Sequence, residues 1–391
     1  MENKTKFKDV PYTGADAAAE AMRQINPDVV PVYPITPQTP IAQKFAQFVS
    51  DGIVNTEMIR VESEHSAMSA TVGASAAGAR AMTATSSAGL ALMWEVVGVA
   101  SGLRLPIVMN IVNRALSAPI NIHCDHADGM GTRDLCWIQI YCETAQEIYE
   151  NTLLALRLAE SVNLPVMVMQ DGFITSHCVQ NVTIYDDNTI RKFIGIRKPD
   201  KCLLDVDNPV TYGPLQLQDY YFETKYQQEE AMGKAKKEYL KIGKELSGLT
   251  GNKYSYIEEY KTKDAEAVII VLSSTAGTAK AVVDKMREQG LKVGVIKPRL
   301  FRPFPYKEIA ASLKNIKYAA VLDRSSSFGA FAPLFAEVMN SLYSLEEKPM
   351  LQSYLYGLGG RDITEKHIEM VFEEMLAGNI EEGKKYIGLR K

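Results

Sequence analysis

The sequence predicts an α/β protein built from two parallel-sheet domains. Three features carry that prediction: short apolar runs that read as buried strands, helical segments between them, and a charged stretch near residue 230 after which the alternation resumes. At 391 residues the chain is long enough for two or three separate cores.

In the first part, "GADAAAEAMRQI" (14–25) reads as helix and "VVPVYPI" (29–35) as strand. "QTPIAQKFAQFVSDG" (38–52) is helix, "EMIRV" (57–61) strand, 64–79 helix, "AMTAT" (81–85) strand and 88–102 helix. "PIVMNIV" (106–112) is strand, a long loop follows, 146–162 is helix and "LPVMVMQ" (164–170) closes the series. Helix 64–79 consists almost entirely of small residues, which lets it lie against a neighbouring backbone inside the domain or at a subunit interface.

Residues 215–250 are charged and helical and end at "SGLTGN", so they read as a solvated connector. This places one domain at 1–250 and another at 251–391. In the latter, 265–274, 291–299, 317–324 and 349–357 are strands, and 276–289, 306–314, 329–343 and 364–377 are helices. No sequence repeat links the halves.

Composition excludes several functions. A net charge of −4 argues against general nucleic-acid affinity. No apolar run is long enough to span a membrane, and "MENKTKFKDV" has no apolar signal core, so a cytoplasmic protein is expected. Cys124, Cys136, Cys142, Cys178 and Cys202 include no C-x-x-C pair, which is poor for zinc or an iron–sulfur cluster; all five are expected to be structural thiols.

Ligands of open α/β sheets bind beyond the carboxyl ends of the strands. Three side chains stand there. Thr36 sits among three prolines in "VYPITPQTP", where the fixed φ of proline makes the chain stiff. Glu64 follows strand 57–61, and Arg114 follows strand 106–112. An arginine fork suits a small carboxylate, and a buried glutamate suits proton transfer. The plainer alternatives are that Glu64 caps helix 64–79 and that Arg114 pairs with Asp125 or Asp128. "HCDHAD" (123–128) has a metal-like composition but reads as a hydrogen-bonded loop, since no third ligand motif accompanies it. "GLGGRD" (357–362) is a glycine turn between strand and helix and does not fit G-x-G-x-x-G. Lys297, Arg299 and Arg302 offer charge to phosphates, but an interface or solvated role is the expectation.

Together, "YPITPQTPIAQ", "VESEHSAM", "TATSSAGLALM", "NRALSAPINI", "RDLCWIQIY" and "GLGGRDIT" resemble, over nearly the whole chain, the alpha subunits of 2-oxoacid:ferredoxin oxidoreductases, the pyruvate branch above all. The resemblance implies a pyrimidine-type thiamine-diphosphate-binding domain followed by a smaller transketolase-C-terminal-like α/β domain. It implies conversion of pyruvate, coenzyme A and oxidised ferredoxin to acetyl-CoA, CO2 and reduced ferredoxin. It gives Glu64 the aminopyrimidine of thiamine diphosphate, where its hydrogen bond favours loss of the thiazolium proton, and places Ile35 at the cofactor as well. Thr36 and Arg114 would hold the 2-oxoacid, with Arg114 as carboxylate anchor. The chain has no G-D-G…N segment and no metal ligands of its own, so a beta-type subunit would bring the diphosphate half, its Mg2+ and a cluster. The [4Fe–4S] clusters would all lie on partners, with gamma- and delta-type subunits completing the enzyme and ferredoxin accepting electrons. The loop "NIHCDHADGMG" departs from the tryptophan-containing version associated with pyruvate enzymes. A branched-chain (2-oxoisovalerate) enzyme is therefore the alternative substrate reading, and a non-catalytic assembly subunit the alternative class.

Overall fold

The computed structural model describes residues 7–390; residues 1–6, at which the absence of a signal core begins to be read, and Lys391 lie outside the described residues. The chain runs β1 (Phe7–Tyr12), α1 (Gly14–Ile25), β2 (Val29–Val32), α2 (Thr39–Ser50), β3 (Glu57–Arg60), α3 (Glu64–Ala76), β4 (Met82–Thr85), α4 (Ser87–Leu92), α5 (Trp94–Gly102) and β5 (Val108–Asn113). It continues through α6 (Ala127–Gly131), β6 (Ile138–Tyr141), α7 (Ala145–Val162), β7 (Val166–Asp171), β8 (Gln180–Tyr185), α8 (Asp187–Ile194) and the long α9 (Gln218–Thr250). Then come β9 (Ile257–Tyr260), β10 (Ala267–Val271), α10 (Thr275–Glu288), β11 (Val293–Pro298), β12 (Leu300–Arg302), α11 (Tyr306–Leu313), β13 (Tyr318–Asp323), α12 (Pro333–Ser341), β14 (Met350–Leu355), α13 (Glu365–Leu376) and β15 (Lys384–Tyr386). Among the described residues no helix is long and apolar enough to cross a membrane.

The first sheet has the order β12-β6-β7-β5-β4, parallel except for β12. The parallel pair β2-β3 extends it through a single bridge, Val29 to Ala81. Strands β5, β6 and β7 are buried along their whole length, as expected of parallel strands covered on both faces. Helix α1 opens with a capping box between Thr13 and Asp16 and lays its alanine face against α7. In α3, Ala67, Met68, Thr71, Ser75 and Ala76 are buried beneath β2, β4 and α5, so its small side chains serve tight packing within the domain.

The second sheet has the order β15-β14-β13-β10-β11-β9, with β9 alone antiparallel. The strands and helices expected after residue 264 are all present, with ends trimmed by a few residues. We propose the domain division at residue 250, because α9 ends there on a left-handed Gly251 (φ 78°). The chain nevertheless crosses back once, since β12 pairs with β6 of the first sheet.

Several expectations need correction. The region 215–250 is not simply a solvated connector. Ala231, Met232, Ala235, Tyr239, Ile242 and Leu246 form a buried stripe at helical spacing that packs on α7, hidden in the sequence by the lysines and glutamates around it. Helix 88–102 is interrupted at Met93. The long loop contains α6 and β6; in β6 a buried Gln139 breaks the apolar run, and its amide donates to the Gly129 carbonyl at 2.9 Å. The β1-β8 ribbon joins segments about 170 positions apart, a pairing no local pattern reveals. Only Cys124 and Cys142 are fully buried, while Cys178 is exposed, so the structural reading of the thiols does not hold for all five.

The basic residues at 297–302 also find their role here. Lys297 is fully buried and meets Glu143 at 2.6 Å, Glu147 at 2.8 Å and Glu258 at 2.8 Å, tying β11 to α7 and β9. Arg299 pairs with Glu258 at 2.7 Å, and Arg302 with Glu337 at 2.7 Å. Burial pushes the Glu258 and Glu147 carboxyls up, but Lys297 and Arg299 more than offset it and hold both below the ordinary range. Carboxylates depressed in the folded state contribute stability that is present above their unfolded pKa and lost as pH falls below about 4.5. Lys297→Met removes the buried charge shared by three carboxylates and leaves them only Lys280 and Arg299. It should cost about 3–5 kcal/mol at pH 7, read from urea unfolding, and should flatten the loss of stability on acidification that the wild type shows.

Candidate active site

The carboxyl ends of β2, β4, β5 and β7 meet along one edge of the first sheet. Past β2 the chain runs through Tyr33–Pro34–Ile35 to Thr36, which is exposed, and then to a buried Pro37. The Ile35 carbonyl accepts from the N–H groups of Gln38 and Thr39, at 2.7 and 3.1 Å, which turns the chain into α2. Pro37 lies over the end of β7. A Cβ at Gly172 would stand 2.9 Å from Pro37 Cγ and 2.4 Å from the Asn113 carbonyl oxygen, so only glycine fits.

Arg114 continues β5 and is 93% withdrawn from solvent, at 7% exposure. Its Nη1 donates to the Thr36 carbonyl at 2.8 Å and its Nε to the Asn121 carbonyl at 2.9 Å. Its Nη2 has no partner among the described residues. The Arg114 side chain makes no ion pair with Asp125 or Asp128; what Asp128 takes is its peptide N–H, at 3.0 Å. The structure therefore brings Thr36 and Arg114 into direct contact, with one face of a buried guanidinium unspent.

Asp128 organises this corner. It is buried and accepts four hydrogen bonds: from Asn113 Nδ2 (2.8 Å), Gly129 N–H (2.7 Å), Ser87 N–H (2.9 Å) and Arg114 N–H (3.0 Å). Burial pushes its carboxyl up to about 6 in spite of those donors. Through Ser87, which holds a left-handed φ of 47°, the same carboxylate fixes the entry to α4.

Glu64 is buried at the first position of α3, but it is Ser63 that caps the helix, accepting from Ser66 N–H at 3.2 Å. The Glu64 carboxylate lies against Gly89 and Thr85 instead. A Cβ at Gly89 would stand 2.7 Å from Glu64 Oε1 and 2.5 Å from Thr85 Oγ1. Nearby polar atoms are left without partners: Thr85 Oγ1, Ser86 Oγ and both amide atoms of Gln38, all fully buried. These hydroxyls and the Gln38 amide leave hydrogen-bonding capacity that a polar ligand could take up. Sequence reasoning passed over Gln38, Thr85 and Ser86, and named Asp128 only as a possible ion-pair partner of Arg114; the run "TATSSAG" offered hydroxyls, but only folding shows which are buried and unpaired.

"HCDHAD" lies beside this edge and is held by hydrogen bonds. His126 Nε2 lies 2.7 Å from Asp171 Oδ1, and His126 N–H donates to the Arg324 carbonyl at 2.8 Å. Cys124, His126 and Asp171 bring ligand atoms within 4.8 Å of one another. The Arg324 guanidinium, 3.4 Å from Asp171, already supplies the positive charge there. Burial pushes the Cys124 thiol well up, away from the thiolate a metal needs.

Fold and edge together define an α/β protein of the thiamine-diphosphate-binding class. Residues 20–244 match the family model described as pyruvate flavodoxin/ferredoxin oxidoreductase, thiamine diP-bdg, and residues 265–368 match pyruvate:ferredoxin oxidoreductase core domain II. The chain belongs to the pyruvate flavodoxin/ferredoxin oxidoreductase family. It is 58% identical to pyruvate synthase subunit PorA of Thermotoga maritima over 98% of both chains. It is 44% identical to the PorA subunit of Methanocaldococcus jannaschii over 96% of both. The ketoisovalerate oxidoreductase subunit VorA of Pyrococcus horikoshii is 43% identical over 93% of this chain and 92% of that one. Among solved structures, a 2-oxoglutarate:ferredoxin oxidoreductase from Magnetococcus marinus with 2-oxoglutarate, coenzyme A and succinyl-CoA bound shares the fold, with TM-score 0.71 and 20% identity over 96% of this chain. The present chain spans 66% of the length of that chain.

Gly89→Ala tests the contact that places Glu64. Alanine favours helix, but its methyl would stand 2.5–2.9 Å from buried Thr85 and Glu64 atoms, so stability should fall modestly rather than rise. The added methyl must displace the Glu64 carboxyl or the Thr85 hydroxyl, and the assembled enzyme should lose about tenfold or more of its turnover, as small misplacements of reacting groups do. Turnover by dye reduction and a melting curve on the same preparation check both halves.

Proposed function

We propose that this chain is the alpha-type subunit of a pyruvate synthase, oxidising pyruvate and coenzyme A to acetyl-CoA and CO2 with ferredoxin as electron acceptor. Family membership and near-full-length identity to PorA subunits support the 2-oxoacid:ferredoxin oxidoreductase type. The observation that carries the substrate class is the half-spent guanidinium of Arg114 beside Thr36. A 2-oxoacid presents a carboxylate next to a ketone, and a planar fork with free N–H groups matches adjacent oxygens. The higher identity to the PorA subunit of Thermotoga maritima than to VorA favours pyruvate over 2-oxoisovalerate.

Thiamine diphosphate fits the edge on this chain's own atoms. Gln38, Thr85 and Ser86 leave buried polar atoms unpaired, and Glu64 presents a buried carboxyl close to Gly89 and Thr85. When bound, the cofactor supplies the carbon that adds to the ketone and the sink for the electron pair left by departing CO2. Glu64 would hold a proton at its carboxyl oxygen in a hydrogen bond to the pyrimidine ring, and the Ile35 backbone would lie against that ring. Arg114 would orient the substrate carboxylate and Thr36 would present its exposed hydroxyl to the substrate. Stiff proline-flanked backbone and the glycine-tight packing at Gly172 fix their positions. The sequence has no G-D-G…N segment, so a beta-type subunit would supply the diphosphate and Mg2+ half. The [4Fe–4S] clusters lie on partners, gamma- and delta-type subunits complete the assembly, and the whole works in the cytoplasm.

Glu64→Gln in the assembled complex should slow exchange of the thiazolium C2 proton for deuterium by about 10²-fold or more, the scale of general acid–base catalysis. NMR on bound cofactor reads it, and wild-type exchange would remove Glu64 from the chemistry. Arg114→Lys keeps the charge but loses the fork. It should raise the KM for pyruvate by the equivalent of about 1.5–3 kcal/mol with cofactor affinity unchanged, and Thr36→Val should cost less. An unchanged KM accompanied by a lower melting temperature would make Arg114 structural.

A further inference from the structure

We propose that the glycine turn of the second domain, Gly357–Gly360, positions Arg114, acting through Asn121. This rests on the reading of Arg114 as the carboxylate anchor. The route is short and continuous. Arg114 Nε donates to the Asn121 carbonyl at 2.9 Å. The side chain of the same Asn121 donates from Nδ2 to the Gly359 carbonyl at 3.0 Å and accepts from His123 N–H at 2.7 Å. One residue thus reaches from the guanidinium to the other domain.

The loop that carries Asn121 has no regular secondary structure between β5 and α6, so its place must be set from outside. The second domain sets it at several points. Gly360 N–H donates to the Cys124 carbonyl at 2.7 Å, Gly359 N–H points at Asp125 Oδ2 at 3.4 Å, and the Arg324 carbonyl takes His126 N–H at 2.8 Å. The fit is close enough to explain the glycines of "GLGGRD". Gly359 and Gly360 hold φ of 60° and 80°, where other residues are strained. A Cβ at Gly359 would stand 2.4 Å from Asn121 Nδ2, and one at Gly360 2.3 Å from His123 Cβ. Arg114 has two carbonyl anchors, Thr36 on its own domain and Asn121. Only the second depends on how the domains meet, so the joint between them adjusts the aim of the substrate arginine.

The test uses the fully assembled enzyme with pyruvate, coenzyme A and a reducible dye. Asn121→Ala removes the bridge but keeps the carbonyl that Arg114 uses; Gly359→Ala pushes on the same contact from the other domain. Each should raise the KM for pyruvate about five- to tenfold, the scale of one neutral hydrogen bond. The KM for coenzyme A should stay unchanged and kcat should stay within about twofold, the loss being one of substrate placement. Because both variants break one contact, the double variant should be no worse than the more affected single. An unchanged pyruvate KM in both, alongside a raised one in Arg114→Lys, overturns the proposal. Loss confined to kcat and melting temperature, with KM intact, also overturns it by reducing the turn to a structural joint. If Arg114→Lys itself leaves KM unchanged, the anchor reading has failed and the proposal falls with it.

Discussion

A buried carboxylate at the end of the central strand β7 holds the two domains in register. Asp171 has no exposure, and it contacts His126 at 2.7 Å, Arg324 at 3.4 Å, and both the N–H (3.2 Å) and the hydroxyl of Ser274. Burial alone would push its carboxyl up, yet His126 and Arg324 hold it well below the ordinary range, so the charge is kept. Arg324 is itself placed by Thr275 at 3.1 Å and by the ring of Tyr356, 5.1 Å from the guanidinium carbon. A charge pair this deep is costly unless its groups are well directed; Asp171 is met from three sides, while Arg324 spends Nη1 and Nη2 and leaves Nε unpaired among the described residues.

From that joint the geometry passes to the edge by short links. Gly172 follows Asp171 and admits Pro37, which stands next to Thr36. His126 lies two residues before Asp128, which ties α4, β5 and α6 into one corner. The edge that carries Thr36, Glu64 and Arg114 is therefore built where domain docking and strand ends coincide. Gln38, Thr85 and Ser86 at this edge leave buried side-chain polar atoms unpaired, as do Gln170 and Tyr239 deeper in the interior.

The legibility of the sequence was uneven for physical reasons. Fully buried parallel strands such as 166–171 announce themselves as apolar runs, and the helices of the second domain fall between such runs. The β1-β8 ribbon and β12 could not be seen, because their partners are remote in the chain and the segments are short. The apolar stripe of α9 was masked by charge, and Cys178 could not be told from Cys142 without knowing what covers each.

For the site, local chemistry named Thr36, Glu64 and Arg114, because strand ends and proline rigidity are local properties. The sequence by itself determined the α/β class, the family and those three positions. Only the tertiary structure decided what each side chain does with its neighbours. It spends part of the Arg114 fork on the carbonyls of Thr36 and Asn121, frees Glu64 from capping by giving that task to Ser63, and sets Asp128 beneath the corner. The reason is that a hydrogen bond joins groups by distance and angle in space: residues 36, 114 and 121 become neighbours only when the first domain folds, and 359 joins them only when the second docks.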